Sequence, residues 1–144
     1  MRTQVLAVLL LAVGSAVAAQ ERQVINPPGT LPGLPFSAAV RVGNVLYLSG
    51  QLGNLPGTRQ LADTGIAGQT RQTFENMKAV LSQAGSSLER VFKCTVFLSN
   101  IADFAKMNEV YERFLGKEPP ARSTVQAGGL PKGAKVEIDM IAAF

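Results

Sequence analysis

PPARSTVQAGGLPKGAKVEIDM, residues 119–140, is the stretch whose reading decides the fold. Pro119 and Pro120 end whatever precedes them, because the residue before a proline is driven out of the helical region. A short strand follows over Ala121–Gln126. Its alternation puts Arg122, Thr124 and Gln126 on one face and Ala121, Ser123 and Val125 on the other. Gly128 and Gly129 break that strand and Leu130–Gly133 turns the chain. A second strand is expected from Lys135 to Ala142, with Val136, Ile138 and Met140 on one face and Glu137, Asp139 and Ile141 on the other. An arginine and one or two carboxylates are thus expected on neighbouring strands of an otherwise apolar unit. A charge that faces packing has to be paired or used, since an unpaired buried charge is costly. At this level a structural ion pair, solvent-facing residues and a functional pair all remain open.

Working outward, the chain of 144 residues has room for one compact domain. Residues 1–19 are expected to lie outside it. Arg2 gives a short basic start, Val5–Val13 is an unbroken apolar run, and Ala16-Val17-Ala18-Ala19 suits a signal peptidase. This is the pattern of a secretory signal peptide cleaved after Ala18 or Ala19, too short for a comfortable membrane span. It implies a secreted or periplasmic protein with no membrane attachment after cleavage. Without Arg2, thirteen basic residues face ten acidic ones, and the basic residues come singly. Nothing in that balance points to nucleic acid.

The missing residue types narrow the chemistry. With no histidine and a single cysteine, a histidine-based triad, a His/Cys metal site within one chain and an intrachain disulfide are all excluded. Cys94 sits in VFKCTVFL and reads as a small core residue. No glycine-rich phosphate loop occurs.

Residues 20–35, rich in proline and glycine, read as an extended irregular lead-in to a domain over residues 36–144. A strand is expected over Phe36–Val42, a two-residue turn at Gly43-Asn44, and a return strand over Val45–Leu48, ended by Ser49-Gly50-Gln51. Gly50 is either a plain strand-end glycine or a point where backbone comes close to something. Asp63 or Thr64 is expected to cap a helix running to Ala84, with Ile66, Thr70, Phe74, Met77, Leu81 and Ala84 as its buried stripe. Val91–Leu98 should be a central strand. Ser99 or Asn100 should cap a second helix whose buried stripe is Ile101, Phe104, Met107, Val110, Tyr111 and Phe114. The resulting order is α+β: a mixed sheet with two helices on one face. Val40, Val45, Tyr47, Val125 and Ile138 make the other face apolar as well, which predicts self-association.

Four blocks now carry a resemblance: VGNVLYLSGQ, QTRQTFENMKAVLSQAG, VFKCTVFLSNIADFAKMNEVYERFL and PPARSTVQAGGLPKGAKVEIDMIA. Over Leu34–Phe144 the chain resembles the RidA/YjgF family of enamine/imine deaminases. The resemblance implies a chorismate-mutase-like fold, a homotrimer with sites between subunits, and hydrolysis of 2-imino acids such as 2-iminopropanoate and 2-iminobutanoate to 2-oxo acids and ammonia, with no cofactor. It also implies roles. Arg122 matches the arginine that grips the substrate carboxylate, and Glu137 the glutamate that orients or activates water. Gly50 matches a glycine lining the pocket, and Asn108 a pocket-wall asparagine. Thr124 stands where the family often has cysteine, at a position where the backbone carbonyl matters more than the side chain. Phe36 stands where well-characterised deaminases carry tyrosine, so the ring is kept and the hydroxyl lost. A non-catalytic trimer that binds small carboxylates or a partner protein is the alternative. The ribonuclease activity attributed to some members is disfavoured by the lack of histidine.

Overall fold

The computed structural model describes residues 21–144. The expected signal peptide and its cleavage points lie outside the described residues. Six strands and two helices follow in the order β1 (Arg22–Ile25), β2 (Ala39–Val42), β3 (Val45–Leu52), α1 (Ile66–Gln83), β4 (Val91–Leu98), α2 (Phe104–Leu115), β5 (Ala121–Gln126) and β6 (Val136–Ala143). The six strands form one mixed sheet in the order β1-β2-β3-β6-β4-β5. Only β4 and β5 run parallel, joined through α2.

The expected elements form, with informative differences. The lead-in is not wholly irregular: Arg22–Ile25 pairs antiparallel with Ala39–Val42 and adds an edge strand. β2 starts at Ala39, not Phe36. The Asn26 side chain accepts the Ala38 N–H at 2.8 Å, and the Ser49 N–H donates to the Ala38 carbonyl, so the chain enters β2 from a bend at Pro35 and Phe36 beside the end of β3. β3 continues through Gly50 to Leu52, because a bulge between Leu48 and Gln51 lets it follow β6 past the glycine.

Gly65 occupies the N-cap of α1, ahead of which Asp63 Oδ1 accepts the Gly65 N–H at 2.8 Å. The predicted cap residue therefore makes the turn into the helix. Asn100 caps the 3-10 turn Ile101–Asp103 ahead of α2, accepting the Ala102 N–H at 3.0 Å, whereas the N-cap of α2 itself is Asp103, which makes no side-chain cap. β4 is interior, flanked by β6 and β5.

The core lies between the helices and one face of the sheet. Phe74, Met77 and Leu81 of α1, Met107 of α2, Leu46 of β3, Val96 and Leu98 of β4 and Ile138 of β6 are wholly buried there. Phe74 stacks on Phe114 at 4.7 Å and meets Tyr111 edge-on at 5.4 Å, which ties the two helices together. Removing such a ring costs about 3–5 kcal/mol.

Two expectations of burial change. Ile138 faces the helices, because β6 alternation sends Val136, Ile138 and Met140 inward. Ile101 and Phe104 stay exposed at 49% and 39%: Ile101 lies on a short 3-10 turn, and Phe104 opens α2 before the helix reaches α1. The second sheet face keeps Val125 and Tyr47 open to solvent, at 45% and 49%.

Candidate functional site

Strand pairing decides where the two charged candidates sit. Arg122 is the register partner of Cys94, and Cys94 that of Met140, both buried under the helices. Arg122 therefore projects on the helix side. Glu137 is the register partner of Phe97, on the opposite face. β4 separates β5 from β6, so the expectation of neighbouring strands fails. Two strand spacings sideways and three residues along put the two Cα atoms ~14 Å apart, with side chains pointing away from each other. One chain therefore carries the two candidates apart, on opposite faces of its sheet.

The arginine half lies at the wall of an open cleft of about 1290 Å³ that Asn108, Tyr111, Pro120 and Arg122 help line. Arg122 Nη1 donates to Asn108 Oδ1 at 2.8 Å. Its guanidinium carbon lies 4.5 Å from the centre of the Tyr111 ring and 5.4 Å from that of Phe104. It has no carboxylate partner among the described residues. A planar fork with N–H groups to spare is suited to a bidentate carboxylate contact.

Two fully buried hydroxyl oxygens nearby, Tyr111 Oη and Thr124 Oγ1, lack a hydrogen-bond partner. Cys94 and Arg122 lie beside the Tyr111 hydroxyl without meeting hydrogen-bond geometry. Burial, then the Cys94 thiol, pushes the phenol well above its usual range, so it stays a neutral donor. Thr124 follows Arg122 on the same strand face.

The carboxylate half opens on the other face. A cleft of about 540 Å³ reaches from Phe36, Gly50 and Glu137 round to Gln72, Asn76 and Ala79 of α1. Phe36 stands at its rim, 53% exposed. Gly50 lies directly under the Glu137 side chain, and a Cβ there would overlap the Glu137 carboxylate and come within 3.0 Å of its Cγ. Gly50 is therefore the close-approach glycine, and its backbone and the carboxylate share one surface.

Glu137 pairs with no cation among the described residues. Burial first, then the negative charge of Asp139, raises its pKa above the usual carboxylate range. Asp139 stands two residues along on the same face, fixed by the Thr95 N–H at 3.1 Å. A carboxylate that takes up a proton more readily than an exposed glutamate is a fitting base.

The structure thus brings Arg122, Asn108 and Thr124 together, and separately Phe36, Gly50 and Glu137. Sequence reasoning missed Tyr111 and Phe104 as neighbours of Arg122. Their signal was the spacing 104, 108, 111, one face of a helix that also carries Asn108. No group of three or more acidic or cysteine side chains able to hold a metal occurs among the described residues.

The family model described as Endoribonuclease L-PSP matches residues 30–144. The chain is 40% identical over 124 residues to the human 2-iminobutanoate/2-iminopropanoate deaminase, covering 84% of this chain and 89% of that protein. It is 46% identical over 110 residues to Protein DfrA of Myxococcus xanthus, covering 75% and 84%. Among solved structures, E. coli TdcF with bound serine superposes with a TM-score of 0.77 at 35% identity, covering 85% of this chain and 99% of that one. By motif, fold and extended sequence identity, the chain belongs to the RidA/YjgF family, whose model is described as Endoribonuclease L-PSP.

Proposed function

We propose that this chain is a cofactor-independent imine deaminase that converts 2-imino acids such as 2-iminopropanoate and 2-iminobutanoate to 2-oxo acids and ammonia. The observation that carries the reading is the pair of unsatisfied charges. Among the described residues, Arg122 is an oriented guanidinium without a carboxylate, and Glu137 a partly buried carboxylate without a cation. Neither is explained by the structural ion pair that the sequence left open. A relative named for this activity and a structural neighbour solved with a bound amino acid support the same chemistry.

In this reading Arg122, braced by Asn108, holds the substrate carboxylate. The carbonyl of Thr124 and the backbone of Gly50 line the pocket. Glu137 takes a proton from water as the oxygen attacks the imine carbon and passes it to the nitrogen, giving a carbinolamine; it then carries the hydroxyl proton to the nitrogen, so that the C–N bond breaks as the C=O bond forms and ammonia leaves. Little rate enhancement is required, because imines hydrolyse spontaneously and positioning supplies much of the gain.

The half-sites on opposite faces of one sheet meet only if a second copy supplies the other half, so we propose a homotrimer with sites between subunits. The apolar residues left open on the second sheet face, Tyr47 and Val125, fit such burial. We further propose that residues 1–19 direct export, which makes the protein secreted or periplasmic, and that the imines come from amino-acid oxidation outside the cytosol. A ribonuclease is not proposed: without histidine, acid/base work on RNA would fall to Glu137 and exposed lysines.

The test is a semicarbazide-competition assay on the chain lacking residues 1–19, with an amino-acid oxidase making 2-iminopropanoate in place. Wild type should suppress semicarbazone formation and Arg122→Ala should not, with both sedimenting as trimers. Failure of wild type to suppress it, with 2-oxo acids still bound, would replace the enzyme reading by the carboxylate-binding module.

A further inference from the structure

The Arg122 guanidinium is held by one helix face. Phe104, Asn108 and Tyr111 are spaced i, i+4, i+7 along α2, so their side chains share a stripe. Asn108 fixes one edge of the guanidinium with a hydrogen bond of 2.8 Å. The two rings stand at 4.5 and 5.4 Å from its central carbon, both within cation–π range. The rings differ in setting. Tyr111 is 5% exposed and anchored edge-on against Phe74, whereas Phe104 is 39% exposed at the start of α2. An exposed phenylalanine at the first residue of a helix does nothing for the core. Its ring stands instead 5.4 Å from the Arg122 guanidinium carbon.

We propose that Phe104 and Tyr111 are positioning residues that bracket Arg122 and set the orientation in which its free N–H groups meet a carboxylate. Arginine carries many rotamers, and each one frozen before binding is ordering that the ligand need not impose. The bracket presents the fork ready-made. Asn108 sets its rotation in plane, and the rings set its plane. The proposal rests on the carboxylate-gripping role given to Arg122 above. It adds two residues that touch Arg122 rather than the reacting atoms.

The experiment compares Phe104→Leu, Phe104→Tyr, Tyr111→Leu and Tyr111→Phe in the full domain, using pyruvate and 2-oxobutanoate as probes. Two readouts are taken. The first is the dissociation constant of the 2-oxo acid, with KM and kcat for the imine where turnover is measurable. The leucine variants should raise Kd and KM about three- to tenfold with much smaller changes in kcat. The aromatic variants should recover most of that loss. The second readout is the NMR signals of the Arg122 guanidinium in the free protein. Ring-current shift and slow rotation of its N–H groups should be present in wild type and reduced in both leucine variants.

Unchanged guanidinium signals in folded Phe104→Leu and Tyr111→Leu would overturn the bracket. Changed signals with unchanged 2-oxo acid affinity would overturn its positioning role. If wild type itself binds no 2-oxo acid, the deaminase reading fails, while the guanidinium signals still decide whether the rings hold Arg122. Should Tyr111→Leu unfold through its contact with Phe74, the exposed Phe104 pair decides alone.

Discussion

Gly50→Ala offers a sharp perturbation of the carboxylate half-site. The added methyl would overlap the Glu137 carboxyl oxygen and crowd Cδ and Cγ at 2.9 and 3.0 Å, while meeting no backbone atom as closely. The obstacle is the far end of a flexible side chain, so the fold can yield by moving Glu137. Forcing that side chain off its rotamer costs about 0.5–1.5 kcal/mol, a fall in Tm of a few degrees for a domain this size. Restoring ordinary contact requires the carboxylate to move by ~1 Å or more. A misplacement of that size at a reacting group costs on the order of a hundredfold in rate. The expected result is therefore a protein that melts within a few degrees of wild type and deaminates ~100-fold more slowly in the semicarbazide assay. Because the loss acts through Glu137, Gly50→Ala combined with Glu137→Gln should be no slower than the worse single variant. Wild-type activity in Gly50→Ala, or full additivity in the double variant, would refute the reasoning.

Glu137→Gln should slow turnover more than it weakens 2-oxo acid binding, and a pure rise in KM would contradict the proton role. The same variant has a stability signature. Glu137 has a raised pKa, so the folded state binds more protons than the unfolded state just above the ordinary carboxylate range, and wild-type stability falls as pH rises through that window. Glu137→Gln should therefore gain in Tm relative to wild type between acidic and neutral pH, and a constant difference would refute this. Asn108→Ala removes the acceptor of a charged hydrogen bond and should weaken 2-oxo acid binding about tenfold, measured by calorimetry. Thr124→Val replaces an unpartnered buried hydroxyl by a methyl of similar shape, so Tm should hold or rise; a fall of several degrees would mean that the hydroxyl has a partner.

Periodicity within elements was legible from the residues alone. Phe74, Met77 and Leu81 repeat at helical spacing, Val96 and Leu98 alternate, and each lies where its period sends it. The glycine at 50, either a strand end or a close approach, proved to be the close approach. What the pattern could not carry was the order of strands. Alternation assigns Arg122 and Glu137 to faces of their own strands, but only the placement of β4 between β6 and β5 relates those faces. That pairing is set by contacts far apart in sequence. β1 was hidden for a local reason, since four residues ahead of a proline-rich run show too little alternation to read as a strand. Phe104 was misread because helical spacing says which residues share a face, and not where along the helix the core begins.

The single thiol gives this molecule a built-in gauge. Cys94 has no accessible surface, and burial raises its pKa, so in the closed protein it is both shielded and poorly nucleophilic. An alkylating reagent should reach it only in molecules whose sheet has parted from the helices. When reclosing outpaces modification, the labelling rate divided by that of a free cysteine peptide equals the open fraction. Each chain can be tagged only once, at the wall behind Arg122. For the proposed trimer, labelling followed against protein concentration would then show whether a subunit opens while assembled or must first come free.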